Sequence, residues 1–168
     1  MGESKILVAK KDELAFVEVI GRGSFQNAGC LKSFYQELLK NGTSRFVVDL
    51  KGCTYLDSTF LGTLTGLGLA LKEKASGQLH ILNASPRNLE LLQNLGLDRL
   101  FDIEITATDF TKPCESRELP NGAPDKNREA RDMIDAHQCL MDLDPRNVPK
   151  FKDVVAYLKE DLGISTSE

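Results

Sequence analysis

The chain has 168 residues, of which 41% are hydrophobic and 27% charged, a composition typical of one compact domain with an appended segment. Its 21 basic and 25 acidic side chains leave a net charge of -4, which disfavours nucleic acid as a partner because phosphate backbones bind basic surfaces. No apolar stretch is long enough to span a membrane, and charges interrupt the residues after Met1, so we expect neither a membrane anchor nor export and expect a cytoplasmic protein.

The first half of the chain alternates between strand-like and helix-like patterns. Residues 5–9 and 14–20 are β-rich runs separated by a short polar segment, which predicts a hairpin. Leu31, Phe34, Tyr35, Leu38 and Leu39 then form the apolar stripe of a helix. Residues 45–50 are almost continuously apolar, which predicts a strand that is covered on both faces.

A loop over residues 51–58 is predicted to lead into a second helix that contains three glycines. Gly62, Gly66 and Gly68 each disfavour a helix, and we expect close packing against the sheet to compensate. A strand over 79–83, a helix opened by Ser85–Pro86 and a strand over 100–105 follow. The order β-β-α-β-α-β-α-β predicts an α/β domain over residues 1–110, with a mixed β-sheet covered by helices.

Residues 111–127 are rich in proline, glycine and charge, and we interpret them as a linker. Residues 128–168 then carry two apolar helical stripes separated by Asp144–Pro145, with Asn147 as a candidate cap for the second. This pattern predicts a C-terminal helical hairpin. Its apolar faces require a partner, so the hairpin should pack on the domain or on another copy of the chain.

Little in the sequence favours an enzyme. The segment GRGSFQ at residues 21–26 begins like a kinase glycine loop, but the other kinase motifs are absent, and a turn explains it. His80 and His137 lie within a predicted strand and on an apolar helical stripe, which favours packing over catalysis. The four cysteines lie far apart and lack metal-site spacing, so we expect thiols and neither a metal nor a cofactor.

The segment Asp57–Ser58–Thr59 has two interpretations. It follows a buried strand and opens a helix, where unpaired backbone N–H groups and the helix dipole favour negative charge. Capping is the simpler explanation, since Asp and Ser are preferred N-cap residues. Spacing alone favours a cap over a functional site.

The run FVVDLKGCTYLDSTFLGTL resembles the STAS domain, the fold of bacterial anti-sigma factor antagonists. The matching features are an apolar strand ending in Asp, a short loop with an apolar residue before Asp-Ser, and a glycine-containing helix. Residues 83–103 also resemble the family, so the resemblance covers roughly residues 5–108 and not the hairpin. The matching positions are Val47, Val48, Asp49, Leu50, Leu56, Asp57, Ser58, Thr59, Leu61 and Gly62.

The resemblance implies a regulatory switch. The unmodified domain would bind an anti-sigma factor or a switch serine kinase, and phosphorylation of Ser58 would cause the complex to dissociate. This role requires a Ser58 hydroxyl that a kinase can reach. The resemblance also implies partner contacts by residues around this serine, namely Ser24, Asp57, Thr59, Phe60 and Gly62.

Two positions depart from the family pattern. Phe60 stands where a glycine is usual, and Ser24 stands where an aspartate is usual. If Phe60 were exposed, it could anchor a partner, although burial of the whole helical stripe is the simpler expectation.

Two alternatives to the switch remain open. In the first, the chain is a STAS scaffold whose C-terminal helices form a homo-oligomer, and Ser58 is only a cap. In the second, the domain senses a small ligand in a groove near Ser24 and Asp57.

Overall fold

The computed structural model describes residues 3–74, 77–104, 115–123 and 125–164. None of the helices in these ranges is both long enough and apolar enough to cross a membrane. Short 3-10 turns at Leu97–Arg99 and Pro145–Asn147 precede the strand that begins at Asp102 and the helix that begins at Val148. The strands and helices are β1 (Lys5–Lys11), β2 (Leu14–Gly23), α1 (Phe25–Lys40), β3 (Arg45–Asp49), β4 (Cys53–Leu56), α2 (Ser58–Lys72), β5 (Gln78–Leu82), α3 (Pro86–Asn94), β6 (Asp102–Glu104), β7 (Arg117–Glu118), α4 (Lys126–Leu143) and α5 (Val148–Asp161).

The strands form a mixed sheet in the order β6-β5-β3-β2-β1-β7, with β4 paired to β2 outside this path. Strands β2, β3, β5 and β6 run parallel to one another, whereas β1 is antiparallel to both β2 and β7. The α/β fold with a mixed sheet and C-terminal helices, predicted from the alternating patterns, is therefore confirmed.

Strand β4 was not predicted, and it changes the geometry of the site. The segment expected to be a loop contains Cys53–Leu56, which pairs in parallel with the last residues of β2. Strand β2 is long enough to pair with β3 along its first half and with β4 along its second. At the end of this ladder the Asp57 N–H donates to the Gly23 carbonyl at 2.9 Å, so the starts of α1 and α2 lie side by side.

Strand β3 is buried on both faces, as its continuous apolar run predicts. Phe46 and Val48 belong to the main core, which also includes residues of α1 and α2. Val47 points to the opposite face, where it packs with a second small cluster that contains Phe16 and Leu82. Alternating side chains of one strand thus contribute to two separate apolar layers.

The C-terminal hairpin packs on the same chain. Helix α4 lies along α2 and touches α1, and α5 folds back against α4. Residues 111–114 and 124 of the predicted linker lie outside the described residues. Other residues of that segment join the sheet, because β7 pairs with β1 at Val8 and Arg117.

The predicted cap of the second hairpin helix is wrong in its chemistry. Asn147 occupies the N-cap position of α5 but makes no capping hydrogen bond. Its buried side-chain amide instead donates to the carbonyl oxygens of Leu95 and Leu140, at 2.9 and 2.8 Å. Asn147 therefore ties the hairpin corner to the end of α3 and gives the Leu140 carbonyl of α4 a second donor beside the Asp144 N–H.

Candidate functional site

Asp57 joins the N-termini of two helices. One carboxylate oxygen accepts a hydrogen bond from the Phe60 N–H of α2, and the other accepts one from the Phe25 N–H of α1, both at 2.8 Å. These bonds satisfy backbone donors that have no partner within their own helices. The Asp57 side chain therefore acts as a cap, as its sequence position predicts, and serves two helices at once.

Ser58, the first residue of α2, is paired with a histidine from the C-terminal hairpin. Its Oγ lies 2.8 Å from Nε2 of His137, and Nδ1 of the same ring lies 2.6 Å from the Met133 carbonyl oxygen. Because a carbonyl oxygen can only accept, Nδ1 carries the ring proton. In the neutral ring Nε2 is then an acceptor, and the Ser58 hydroxyl donates to it.

The environment of His137 favours this neutral form. The side chain is buried and lies beside the Phe151 ring, with 5.0 Å between the ring centroids. Burial lowers the pKa of His137 from its ordinary value of 6.5, against the smaller opposing influences of the Met133 carbonyl and the Asp57 carboxylate. The imidazole therefore stays uncharged at neutral pH and keeps its lone pair toward Ser58.

One turn further along α2, two helix backbones meet at a glycine. A Cβ built on Gly62 would overlap the carbonyl group of Ala136 and lie 2.7 Å from the Ala136 Cβ. A Cβ on Gly66 would lie 3.5 Å from the Cys139 Sγ and 3.0 Å from the Tyr35 hydroxyl. The glycines of α2 therefore allow a close approach, as predicted, but Gly62 and Gly66 face α4 and α1 and not the sheet.

Ion pairs hold the first half of α4 and the hairpin corner to the domain. Lys32 of α1 contacts Asp135 at 2.9 Å and Asp132 at 3.5 Å, which holds the first half of α4. At the hairpin corner, the buried Asp144 carboxylate contacts Arg99 at 2.6 Å. Hydrogen bonds from the side chain and backbone of Arg146 are the main cause that holds the pKa of Asp144 far below its usual range, with smaller contributions from the charges of Arg146 and Arg99.

The structure corrects the prediction of an accessible Ser58 hydroxyl. The residue is half-buried, and its oxygen is covered by His137 of α4. Phe60 is fully buried in the main core, so the condition for its role as a surface anchor is not met. Ser24 is also buried, and its Oγ caps α1 by accepting from the Gln26 N–H at 3.2 Å.

The other residues predicted to contact a partner, Thr59 and Gly62, are also buried. Thr59 is buried within the first turn of α2, and Gly62 is covered by Ala136. Of the residues predicted around the serine, Asp57 and Ser58 alone keep partial exposure. The sequence assigns His137 to packing, and no pattern pairs it with Ser58, because the two residues are 79 positions apart.

The described residues contain no group of three or more His, Cys, Asp or Glu side chains that could hold a metal ion. A cavity of about 350 Å³ opens between α1 and the start of α4, and its wall includes Phe25, Cys30, Arg117 and Arg128. Neither Ser24 nor Asp57 lines this cavity. Phe25, whose N–H donates to the Asp57 carboxylate, is the wall residue that lies beside them.

Comparison with known proteins places the fold in a family. Residues 6–104 match the family model described as "Mlab, STAS domain". A STAS-domain containing protein of Pseudomonas aeruginosa is 40% identical over 62 residues, which cover 35% of this chain and 57% of the relative. The chain thus aligns with little more than half the length of this curated relative. Because the family model covers more than half of the chain, the protein belongs to the STAS domain family.

Solved structures show the same fold at low sequence identity. The anti-sigma factor antagonist SpoIIAA in its unphosphorylated form is 15% identical with a TM-score of 0.51, over 62% of this chain and 90% of that one. An anti-sigma factor antagonist from Mycobacterium paratuberculosis is 23% identical with a TM-score of 0.52, over 62% and 87%. These similarities establish the fold that the chain shares with such antagonists.

Proposed function

We propose that this protein is a cytoplasmic regulatory module that binds a protein partner, in the manner of an anti-sigma factor antagonist, and has no enzymatic activity. The partner is an anti-sigma factor or a switch serine kinase, and phosphorylation of Ser58 controls the binding. A kinase reaches the Ser58 hydroxyl only when α4 moves away, because His137 of α4 covers it in the structure. The supporting observation is the position of Ser58 as the first residue of α2, directly after the Asp57 cap, in a chain of the STAS family.

The proposed modification is a simple phosphoryl transfer. The kinase moves the γ-phosphoryl group of ATP to Ser58 Oγ, so that the bond to ADP breaks, the new O–P bond forms and the hydroxyl proton passes to a base of the kinase. The phosphate adds about -1.5 to -2 charges. The start of α2 favours such charge by about 0.3–1 kcal/mol, whereas Asp57 at about 5 Å opposes it by about 0.8 kcal/mol per unit charge in water.

The repulsion exceeds the helix contribution by about 0.2–1.3 kcal/mol for this charge, a cost that the folded domain tolerates. A partner interface does not, because a buried and unpaired dianion costs several kcal/mol, and each 1.4 kcal/mol lowers affinity tenfold. Asp57, Thr59 and Gly62 are the proposed contacts around Ser58, and the last two become available only where α4 no longer covers them. Ser24 and Phe60 support this surface from within, through capping and core packing.

The proposal is tested by incubating the full chain with ATP and each purified serine kinase of the source organism that contains an anti-sigma-type kinase domain. Mass spectrometry then maps the modified residue. We expect one phosphate, on Ser58, and none on the Ser58→Ala variant. The matched control is Ser33→Ala, which removes an exposed helical serine of α1 and should still carry the one phosphate on Ser58. Phosphate on other residues alone, or on none, contradicts the switch.

A second candidate function is oligomerisation through the hairpin. The outer face of α5 exposes 42% of Val154 and 67% of Tyr157, which are large apolar side chains that oligomers commonly bury. In this alternative the Ser58 hydroxyl only links α2 to α4. Light scattering of the full chain and of a Val154→Ser, Tyr157→Ser double variant distinguishes the two functions. A dimer that the double variant converts to a monomer favours the alternative, and a monomer in both cases removes it.

A further inference from the structure

We propose that α4 is an internal competitor for the Ser58 surface, so that docking of α4 and a phosphate on Ser58 exclude each other. The inference rests on the proposed function of this surface, and it adds a regulatory step. The hairpin holds the surface closed until α4 moves, and phosphorylation keeps α4 from returning.

The first argument is the direction of the hydrogen bond. His137 Nδ1 donates to the Met133 carbonyl, which leaves Nε2 as an acceptor for the Ser58 hydroxyl at 2.8 Å. A phosphate ester replaces that hydroxyl hydrogen. Phosphoserine at a pH above its second pKa, about 6, has only acceptors, so the buried Nε2 would face oxygens in place of its donor. The docked geometry depends on the very hydrogen that phosphorylation removes.

The second argument is space. The phosphate would need room between the first turn of α2 and the middle of α4, but the two helices touch there. Gly62, one turn from Ser58, has no room for even a Cβ beside the Ala136 carbonyl. A rigid shift of α4 that admits a phosphate therefore separates the whole crossing.

The third argument is charge. The Asp57 carboxylate lies next to Ser58 in sequence, and both its oxygens are held by the N–H groups of Phe25 and Phe60. It cannot turn away without breaking its hydrogen bonds to the first turns of both helices. Lys32, a cation of α1 that contacts α4, is already paired with Asp132 and Asp135. A phosphate on Ser58 thus meets a fixed like charge in a partly buried setting.

Reciprocity gives the regulatory consequence. If phosphate on Ser58 weakens α4 docking by some factor, docked α4 opposes the phosphate-bearing state by the same factor. A partner that binds the surface under α4 has to displace α4 as well. The C-terminal hairpin would therefore set the threshold for the switch. A kinase or anti-sigma factor has to displace α4 before it can bind at Ser58.

The test installs phosphoserine at position 58 of the full chain by genetic encoding, so that no kinase is needed. Hydrogen exchange is measured at pH 7.5 for the amides of α4 and, as an internal reference, of β3. We expect exchange in α4 to rise roughly 5- to 150-fold, the usual range of coupling between two sites, with β3 unchanged. Exchange in α4 that is unchanged or slower overturns the proposal, since the phosphate would then be accommodated or held by His137.

The matched control carries phosphoserine at position 33. Ser33 also lies at the contact with α4, but its Oγ accepts from Arg128 Nη2 at 2.9 Å, so a phosphate there gains a cation and should not speed exchange in α4. If both modified proteins open equally, added charge alone causes the effect, and the specific role of the Ser58–His137 contact is refuted.

A disulfide provides an independent readout. In Gly66→Cys the new Cβ would lie 3.5 Å from the Cys139 Sγ, close enough for a bond about 2.05 Å long between the two sulfurs. In a glutathione buffer, the equilibrium constant for this bond reports how often α4 is docked. We expect phosphoserine at position 58 to lower it by the same factor that exchange gives, and an unchanged constant contradicts the inference.

These experiments separate the two proposals. If no kinase modifies Ser58 but encoded phosphoserine opens α4, the proposed function fails and the coupling stands. If a kinase modifies Ser58 and α4 stays protected, the function stands and the coupling is wrong.

Discussion

The close approach of α2 and α4 predicts that a single methyl group at Gly62 destabilises the protein. A Cβ at this position would overlap the Ala136 carbonyl and lie 2.7 Å from the Ala136 Cβ, and neither neighbour is the end of a side chain that could rotate away. Such overpacking costs about 1–3 kcal/mol, whereas replacing glycine by alanine within a helix returns about 1 kcal/mol. We therefore expect Gly62→Ala to lower the free energy of unfolding by up to about 2 kcal/mol in urea titrations.

Gly66 provides the matched control, since it lies four residues later on the same helix. Its added Cβ would be 3.5 Å from Cys139 Sγ and 3.0 Å from the Tyr35 hydroxyl, and both are ends of side chains. Gly66→Ala should therefore be neutral or stabilise the chain by up to about 1 kcal/mol. If Gly62→Ala proves as stable as Gly66→Ala, α4 does not pack on α2 as described here.

Three further predictions concern the hairpin contacts. Burial depresses the pKa of His137 from 6.5, so the stability that the neutral imidazole contributes is fully present above pH 6.5 and is lost as the pH falls through the lower pKa of the folded state. Urea titrations from pH 8 to 5 should show this loss of stability in the wild type and a smaller loss in His137→Phe. In a double-mutant cycle at pH 8, Ser58→Ala and His137→Phe should show a coupling energy of about 0.5–1.5 kcal/mol, and additive effects would mean that the 2.8 Å hydrogen bond contributes nothing. Asn147→Ala removes the side-chain donor of the buried Leu95 carbonyl and one of the two donors of the Leu140 carbonyl, which keeps the Asp144 N–H. The change should cost about 1–3 kcal/mol, whereas a cost under about 0.5 kcal/mol would show that water replaces the amide.

Most of the fold could be predicted because its signals are local. The continuous apolar run of β3, the stripe of α1 and the Ser85–Pro86 start of α3 each reflect burial or capping within a few residues. Strands β4 and β7 escaped prediction because they contain four and two residues, too few for a period to emerge. Their pairing with β2 and β1 depends on neighbours distant in the chain.

The candidate site shows the same division. Capping at Asp57 follows from residue type and position, and the structure adds a second helix to it. The cover over Ser58 could not be predicted, because a helical stripe that contains His137 looks alike whether it meets the sheet, another helix or a second copy. The surface that a helix covers depends on how well the two contacting helices fit each other, and neither segment shows this alone. Here Gly62 of α2 fits against the Ala136 carbonyl of α4.

The shared carboxylate of Asp57 has a mechanical consequence. Helix α1 has a further anchor at its start, the capping box of Ser24 and Asn27, whereas the Asp57 carboxylate is the side-chain cap described for α2. Loss of that carboxylate would therefore fray the first turn of α2 more than that of α1. The amino acid just before Ser58 thus determines how firmly this serine is held in the first helical turn.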